Sequence, residues 1–313
     1  MEIRNLGRSG LRVSAIGLGC NNFGGRINLD ATRAVIHRAL DLGITLFDTA
    51  DTYGEQGGSE SAMGQIFGDD RKRIVLATKF ANPMDNEGVK RGGARRYVMQ
   101  AVEDSLRRLR TDWIDLYQMH SPDPLTPIEE SLRALDDLVR QGKVRYIGCS
   151  NFAAWQLTEA HWTARANGLN GFVSCQDEYS LLFRKPEAEL MPAACQAGFG
   201  LLPYFPLASG LLTGKYRRNA PMPPGTRLAN TQRLAERYLT ERNWQIAEKL
   251  GDFVEARGRT MLELAFSWLL ARDPVASGIA GATRPEQLEQ NVKAGEWQLT
   301  AAELAEIDTI TAD

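Results

Sequence analysis

The sequence predicts an α/β fold: a closed (β/α)8 barrel with an N-terminal β-hairpin and extra C-terminal helices. Eight short apolar runs recur along the chain, and segments with helical periodicity separate them. Most runs begin about 30 to 40 residues apart, which is the length of one βα unit and is typical of a parallel sheet. A count of eight favours a closed barrel over an open sheet. We therefore interpret residues 1–313 as one barrel domain.

The predicted strands are short and rich in β-branched and aromatic residues, as expected of strands that are buried on both faces. They are residues 14–19, 44–48, 73–80, 113–120, 144–150, 172–176, 200–206 and 277–281. A dinucleotide-binding Rossmann fold would show G-x-G-x-x-G after its first strand, directly before a helix. The glycines of residues 17–25 lead into a polar loop instead, so we reject that alternative.

Apolar residues at helical spacing predict helices between the strands. The predicted helices are residues 31–43, 97–109, 128–140, 153–167, 187–197, 242–257 and 285–294. An extra helix at 299–310 begins with Thr300 as N-cap and Glu303 at N3. Residues 2–13 predict two short strands around a turn, a hairpin that closes the bottom of the barrel. Residues 207–240 form a long loop, which in a compact domain is usually functional or disordered.

The composition excludes several classes of protein. The 313 residues contain 37 Lys and Arg against 39 Asp and Glu, so the net charge of −2 gives no reason to expect nucleic acid as a partner. No apolar run approaches the roughly 20 residues that span a bilayer, and residues 1–10 lack a secretory core. The cysteines have no metal-type spacing, and we interpret them as reduced thiols of a cytoplasmic protein: Cys20, Cys149, Cys175 and Cys195.

Six consecutive predicted strands end in polar residues, and in a barrel all these ends meet at one mouth. The strand-end residues are Asp48, Lys79, His120, Ser150 with Asn151, Gln176, and Tyr204. Tyr53 follows Asp48 in the loop after the second strand. Each residue alone has an ordinary structural interpretation, such as a lysine that reaches for water. Their convergence on neighbouring strands favours a reactive site.

Four of these residues together predict acid catalysis at a carbonyl. A buried ammonium needs a partner, and Asp48 is the natural one for Lys79. A lysine near a phenol favours its ionised form, so we expect the pKa of Tyr53 to lie below about 10. Tyr53 would then serve as a general acid, while His120 donates a hydrogen bond to the same oxygen. A hydride that arrives at the carbonyl carbon would create the negative charge that Tyr53 neutralises.

This set resembles the catalytic tetrad of the aldo-keto reductase family. The stretches FDTADTYG (47–54) and GCSNF (148–152) resemble the family's signatures, and the similarity extends from GLGCNNFGG (17–25) to GATRPEQLEQN (281–291). The stretch YFPLASGLLTGKYR (204–217) resembles the bacterial branch that includes the potassium-channel β subunits. The resemblance implies a TIM barrel with NAD(P)H lying across its mouth.

The same resemblance implies which residues contact the cofactor, together with Asp48 and Tyr53. Those expected at the nicotinamide end are Gly19, Cys20, Asn21, Ser150, Asn151, Gln176 and, stacked on the ring, Tyr204. Those expected over the pyrophosphate are Phe205, Pro206, Leu207, Ala208, Ser209, Gly210 and Leu211, with Lys215 and Arg227 as cations. Those expected around the adenosine are Gly281, Thr283, Arg284, Gln287, Gln290 and Asn291.

Several positions depart from the family pattern. Many members have Lys-Ser where Gly281 and Ala282 stand here, and Arg where Gln287 stands. Arg284 is the remaining cation of that segment. We expect Arg284 and the N-terminus of the last helix to hold the extra phosphate of NADP(H) jointly, with Thr283 adding a hydroxyl donor, so that NADP(H) is preferred and NAD(H) possible.

The predicted function is NADP-dependent reduction of aldehydes and ketones, with a small-molecule carbonyl substrate and no metal. One alternative is a nucleotide-sensing regulatory binding protein of the same fold. A second alternative is a barrel lyase or isomerase that uses Lys79 as a Schiff base.

Overall fold

The computed structural model describes residues 1–312 and confirms the predicted barrel. Eight parallel strands pair in the order β10-β3-β4-β5-β6-β7-β8-β9. They are β3 (Ile16–Gly19), β4 (Leu46–Asp48), β5 (Val75–Phe80), β6 (Ile114–Met119), β7 (Val144–Ser150), β8 (Phe172–Glu178), β9 (Gly200–Tyr204) and β10 (Gly278–Gly281). The ring closes beside β9, where the main chain of Leu201 bonds the oxygen of Pro274 and the nitrogen of Ala276, each at 2.9 Å.

A short hairpin covers the bottom of the barrel, as predicted. Its strands are β1 (Ile3–Asn5) and β2 (Arg12–Ser14), which pair antiparallel. Leu6 and Val13 are fully buried and join the apolar cluster inside the barrel, which includes Leu46 and Leu116. Gly7 allows this close approach, because a Cβ there would lie 2.4 Å from the oxygen of Gly198.

Helices surround the strands and continue to the C-terminus. They are α1 (Leu29–Asp41), α2 (Tyr53–Ile66), α3 (Arg95–Leu109), α4 (Ile128–Arg140), α5 (Ala154–Ala166), α6 (Leu190–Ala197), α7 (Arg227–Asn230), α8 (Gln232–Tyr238), α9 (Glu241–Glu255), α10 (Met261–Leu270), α11 (Pro285–Ala294) and α12 (Ala301–Thr311). Among residues 1–312, no helix is both long and apolar enough to cross a membrane.

Two helices were not predicted, and the character of one loop was predicted wrongly. The glycines of the YGEQGGSES segment (53–61) obscure α2, and α10 is apolar on nearly all sides, so neither shows an amphipathic stripe. The segment 207–240 is not one irregular loop, since it contains the 3-10 helix Ala208–Thr213 together with α7 and α8. Tertiary packing, rather than a periodic pattern, determines these elements.

Unusual backbone conformations concentrate at the C-terminal ends of the barrel strands. Of nine non-glycine residues with positive φ between positions 1 and 312, seven follow β4, β5, β7 or β9: Glu55, Gln56, Ala81, Asn151, Phe205, Ala208 and Ser209. Such conformations cost about 1–3 kcal/mol each, persist only where the surrounding structure enforces them, and cluster at active sites and ligand clamps. This pattern marks the mouth of the barrel as the functional face, independently of any motif.

Candidate active site

A buried ion pair forms the base of the site. Lys79, on the inward face of β5, is fully buried, and its Nζ donates to Asp48 Oδ2 at 2.6 Å and to the oxygen of Thr49 at 2.9 Å. Burial opposes the charge of the ammonium, but Asp48 and Tyr53 outweigh burial, so the pKa of Lys79 is raised. The lysine therefore remains a cation at any working pH.

Tyr53 lies directly above this pair, at the start of α2. The Lys79 ammonium is 5.1 Å from the centroid of the Tyr53 ring. Burial raises the pKa of the phenol, Lys79 opposes this effect, and Asp48 adds to it. The predicted lowering below the ordinary value is thus wrong, because desolvation exceeds the effect of the lysine. Tyr53 carries its proton at neutral pH, which is the form that a general acid needs.

His120 completes the arrangement from the end of β6. Its ring meets the Tyr53 ring edge to face, with centroids 5.7 Å apart. Burial, and then the Lys79 charge, lower the pKa of His120 to about 3. The imidazole is therefore neutral near pH 7 and can polarise an oxygen only as a hydrogen-bond donor. The four residues of the predicted tetrad all meet at one point.

The next two strand ends bring three amide or hydroxyl side chains beside the tetrad. Gln176 donates its Nε2 to Asp48 Oδ1 at 2.9 Å. Asn151 donates to the oxygen of His120 at 2.9 Å and to Ser150 Oγ at 3.0 Å, and it accepts from the Tyr204 hydroxyl at 2.8 Å. The residues expected to hold a nicotinamide carboxamide thus form one connected group with the residues of the predicted tetrad.

The loop after β9 carries an excess of positive charge. The Arg227 guanidinium stacks 5.0 Å from the centroid of Phe205, and Arg227 forms no ion pair with a carboxylate within residues 1–312. Burial, and then the neighbouring Arg26, lower the pKa of Arg227. Lys215 lies near Gly210, whose φ of 101° allows the tight turn. A half-buried arginine without a counter-ion favours a bound anion, so this loop fits a pyrophosphate.

The segment predicted to surround the adenosine has an unexpected local arrangement. Gln287 Oε1 accepts from the main-chain nitrogen of Thr283 at 2.7 Å, its hydroxyl at 3.2 Å, and the nitrogen of Arg284 at 3.2 Å. The donors at the start of α11 are therefore occupied by a side chain, and a phosphate there would have to displace it. Arg284 itself is exposed.

Gly281 in the same segment faces Asn21 of the first loop. A Cβ at Gly281 would lie 3.1 Å from Asn21 Oδ1 and from Asn22 Nδ2, and the latter donates to the oxygen of Ala282 at 3.2 Å. A larger side chain at 281 would displace these asparagines. The first loop and the adenosine segment are thus in contact, although their residues are about 260 positions apart along the chain.

Sequence reasoning missed two buried polar groups beside the tetrad. Gln118, in β6, donates to Asp48 Oδ1 at 3.1 Å. Asp51 does not face Asp48 but lines a separate cavity of about 240 Å³ together with Tyr97 and Arg108. The Tyr97 hydroxyl lies 3.4 Å from Asp51 Oδ2. No described residue bonds Asp51 Oδ1. The spacing of Gln118 two residues before His120 could have revealed it, because alternate strand residues share a face.

We expect Asp51→Asn to stabilise the protein at alkaline pH. Burial first, and then Glu60, raise the pKa of Asp51 from 3.8 to about 8. The folded protein therefore retains a proton that the unfolded chain releases above about pH 4, so the free energy of unfolding falls as the pH rises towards 8. Removing the charge should raise that free energy by about 1–3 kcal/mol at pH 8.

Urea unfolding at pH 5 and pH 8 checks this expectation. The pH dependence should flatten in Asp51→Asn but not in the exposed control Asp69→Asn. Equal unfolding free energies for wild type and Asp51→Asn at pH 8 would contradict the expectation.

Comparisons with known proteins identify the family of the chain. The model of the aldo/keto reductase family matches residues 15–312. The chain is 40% identical to the oxidoreductase YrpG of Bacillus subtilis (strain 168), over 96% of this chain and 92% of the relative. It is 36% identical to L-glyceraldehyde 3-phosphate reductase of Escherichia coli (strain K12), over 100% of this chain and 93% of the relative. It is also 36% identical to a probable voltage-gated potassium channel subunit beta of Arabidopsis thaliana, over 94% of this chain and 91% of the relative.

A family match across almost the whole chain, with relatives covered over nine-tenths of their length, extends well beyond the tetrad. The relatives include oxidoreductases as well as a channel subunit. The chain belongs to the aldo/keto reductase family, a family of oxidoreductases that generally use nicotinamide cofactors.

Proposed function

We propose that the protein reduces aldehydes or ketones to alcohols, with NADP(H) as the preferred cofactor. The observation that carries this proposal is the position of the Tyr53 ring, whose centroid lies 5.1 Å from the ammonium of the buried Lys79–Asp48 pair and 5.7 Å from the centroid of the His120 ring. That arrangement can deliver a proton to an oxygen and then stabilise the phenolate that remains.

Each residue of the tetrad has a distinct role in the proposed reaction. A reduced nicotinamide, when bound, supplies the hydride to the carbonyl carbon. Tyr53 donates its proton to the carbonyl oxygen, and His120 donates a hydrogen bond to that oxygen. Lys79 stabilises the Tyr53 phenolate, and Asp48 holds Lys79 in place.

The residues that would hold the cofactor lie on successive strand ends. Ser150, Asn151 and Gln176 would bind the carboxamide, and Tyr204 would stack on the ring. No carboxylate of the described chain neutralises the positive charge of Lys215 and Arg227. This charge therefore suits the pyrophosphate. Gly281 to Asn291 would surround the adenosine.

Turnover of an aldehyde panel with NADPH and with NADH tests the proposal. The panel should contain 4-nitrobenzaldehyde as a generic substrate and L-glyceraldehyde 3-phosphate, after the named activity of the Escherichia coli relative. Reduction that proceeds faster with NADPH supports the proposal. No reduction of any aldehyde with either cofactor would reject it.

The second candidate is a nucleotide-sensing regulatory protein. The names of the channel-subunit relatives favour it, since proteins 35–37% identical to this chain carry that designation. It predicts tight cofactor binding without appreciable turnover, so the same panel separates the two candidates. The Schiff-base alternative is disfavoured, because a lysine paired at 2.6 Å with a raised pKa is not the neutral amine that chemistry requires.

We infer a cytoplasmic location for the enzyme. Its cysteines are all free, and Cys20, Cys149 and Cys175 are buried. Buried free thiols are usual in a reducing compartment.

Arg284→Ala should weaken NADP binding by at least about tenfold and leave NAD binding nearly unchanged. One charge-assisted contact contributes about 1.5–3 kcal/mol, and tenfold corresponds to about 1.4 kcal/mol. Arg284 is exposed next to α11, and its main-chain nitrogen is already bonded by Gln287. The side chain is therefore the part of Arg284 that remains available to an anion.

Dissociation constants of both cofactors, measured by fluorescence titration of wild type and variant, check this result. Lys293→Ala, in the last turn of the same helix, is the matched control for a general loss of positive charge. Equal weakening of NADP binding and NAD binding would mean that Arg284 does not distinguish the two cofactors, and the discrimination would then be assigned to Lys215 or Arg227.

A further inference from the structure

Gln118 makes an unexpected contact with the carboxylate of the tetrad. It is fully buried in β6 and in register with Lys79 of β5. Its Nε2 donates to Asp48 Oδ1 at 3.1 Å, and Gln176 donates to the same oxygen at 2.9 Å. The other oxygen, Oδ2, faces Lys79 at 2.6 Å. One carboxylate oxygen is thus fixed by two amides and the other by the ammonium.

The orientation of the Gln118 amide follows from its surroundings. A flipped amide would place Oε1 against the carboxylate, so only Nε2 can face Asp48. The oxygen is then left buried, and none of residues 1–312 bonds it. An orphaned buried acceptor costs about 1–3 kcal/mol, which an aliphatic residue of similar size would avoid. What Gln118 provides and an aliphatic residue would not is the nitrogen that donates to Asp48.

Gln118 and Gln176 differ in their access to a ligand. Gln176 lies at the mouth beside Ser150, where its main-chain oxygen bonds Asn151, and it is expected to bind the carboxamide. Gln118 is deeper, next to Gly148 of β7, and has no exposed surface. Gln118 is therefore the donor to Asp48 that is independent of cofactor binding and release.

We propose that Gln118 is a positioning residue, which holds the Asp48 carboxylate so that Lys79 stays beside Tyr53. The inference rests on the proposed carbonyl reduction for its kinetic consequences, but the contact itself does not depend on that activity. Without Gln118, Oδ1 keeps only the amide of Gln176, which is also expected to bind the carboxamide, so the carboxylate is held less firmly about its Cβ–Cγ bond and the lysine can follow it. The phenolate of Tyr53 would then lose part of its stabilisation.

The same layer of the barrel provides a matched control. Ser174 of β8 pairs with Gly148 from the side opposite Gln118, and its Oγ is also buried without a partner in the described chain. A Cβ at Gly148 would lie 2.4 Å from Ser174 Oγ and 3.3 Å from Gln118 Cγ. Ser174 thus shares the packing environment of Gln118 but makes no hydrogen bond to Asp48.

The test compares Gln118→Met, which keeps the shape but removes the donor, with Ser174→Ala. We expect Gln118→Met to lower kcat for reduction about tenfold, the lower end of the effect of one hydrogen bond to a charged group. The pH profile of the reverse alcohol oxidation, which needs the phenolate, should move towards alkaline pH, and cofactor affinity should stay unchanged. Ser174→Ala should leave both the rate and the profile unchanged.

Crystal structures of the two variants provide a readout that does not depend on activity. In Gln118→Met the carboxylate plane of Asp48 should rotate and the Oδ2–Nζ distance should exceed 2.6 Å, the value in the wild-type structure. A wild-type pH profile with an unmoved carboxylate would overturn the inference, and so would an equal shift in Ser174→Ala. If Gln118→Met does not fold, Gln118→Leu carries the same test. Absence of turnover in the wild type would reject the proposed function alone.

Discussion

Tyr53→Phe should lower carbonyl reduction by about 10²–10⁴-fold, the usual contribution of a general acid, while cofactor binding persists. The substitution removes one hydroxyl and leaves the ring that packs against His120 and above Lys79. Because His120 is neutral and Lys79 is held in an ion pair with Asp48, neither can replace the lost proton donor. The effect should therefore appear in kcat rather than in the dissociation constant of the cofactor.

Steady-state kinetics with 4-nitrobenzaldehyde and fluorescence titration with NADPH measure the two quantities separately. Tyr97→Phe is the matched control, since it removes another phenol of the same region that contacts Asp51 instead of Lys79. Turnover by Tyr53→Phe within a few-fold of wild type would refute the assignment of Tyr53 as the acid.

Lys79→Met should abolish most activity and move the residual pH profile of alcohol oxidation towards alkaline pH. The pKa of Tyr53 is already raised by burial, and Lys79 is the group that opposes this rise. Without the cation, burial and Asp48 act together, so the phenolate forms only at higher pH. Asp48→Asn should shift the profile in the same direction by less, because the lysine remains but is held loosely.

Stability must be separated from catalysis in this experiment. Removing one partner of a buried pair leaves an uncompensated charge and costs about 3–5 kcal/mol. The double variant Asp48→Asn/Lys79→Met removes both charges and should regain much of the unfolding free energy, yet remain inactive. An unchanged pH profile in both single variants would show that the pair does not control the phenol.

The barrel was predictable because its strands carry a clear signal. Runs such as 73–80 and 144–150 are apolar, β-branched and evenly spaced, and the structure places β5 and β7 within them. Helix α10 was not predicted because its sequence, MLELAFSWLL, is apolar and buried on nearly all sides and so shows no amphipathic stripe. Helix α2 escaped because residues 54–57 adopt left-handed dihedral angles before the regular helix begins.

The convergence of the candidate residues was predictable, but their electrostatics were not. Residue type and strand position were enough to group Asp48, Tyr53, Lys79 and His120. The sign of the shift in the pKa of Tyr53 depends on how completely the phenol is desolvated, and no local pattern encodes that property. The capping of α11 by Gln287 likewise depends on a side-chain rotamer, which spacing alone does not determine.

The contact between Gln176 and Asp48 also constrains how the enzyme can fold. It joins residues 128 positions apart, which lie on strands separated by three others in the ring. Contacts of such long range form late, because the chain must lose much loop entropy before they can be made. A refolding intermediate containing only the first βα units would hold Asp48 and Lys79 without their amide neighbours. Recovery of catalysis after dilution from denaturant should therefore lag behind recovery of helical signal, and so report closure of the complete ring.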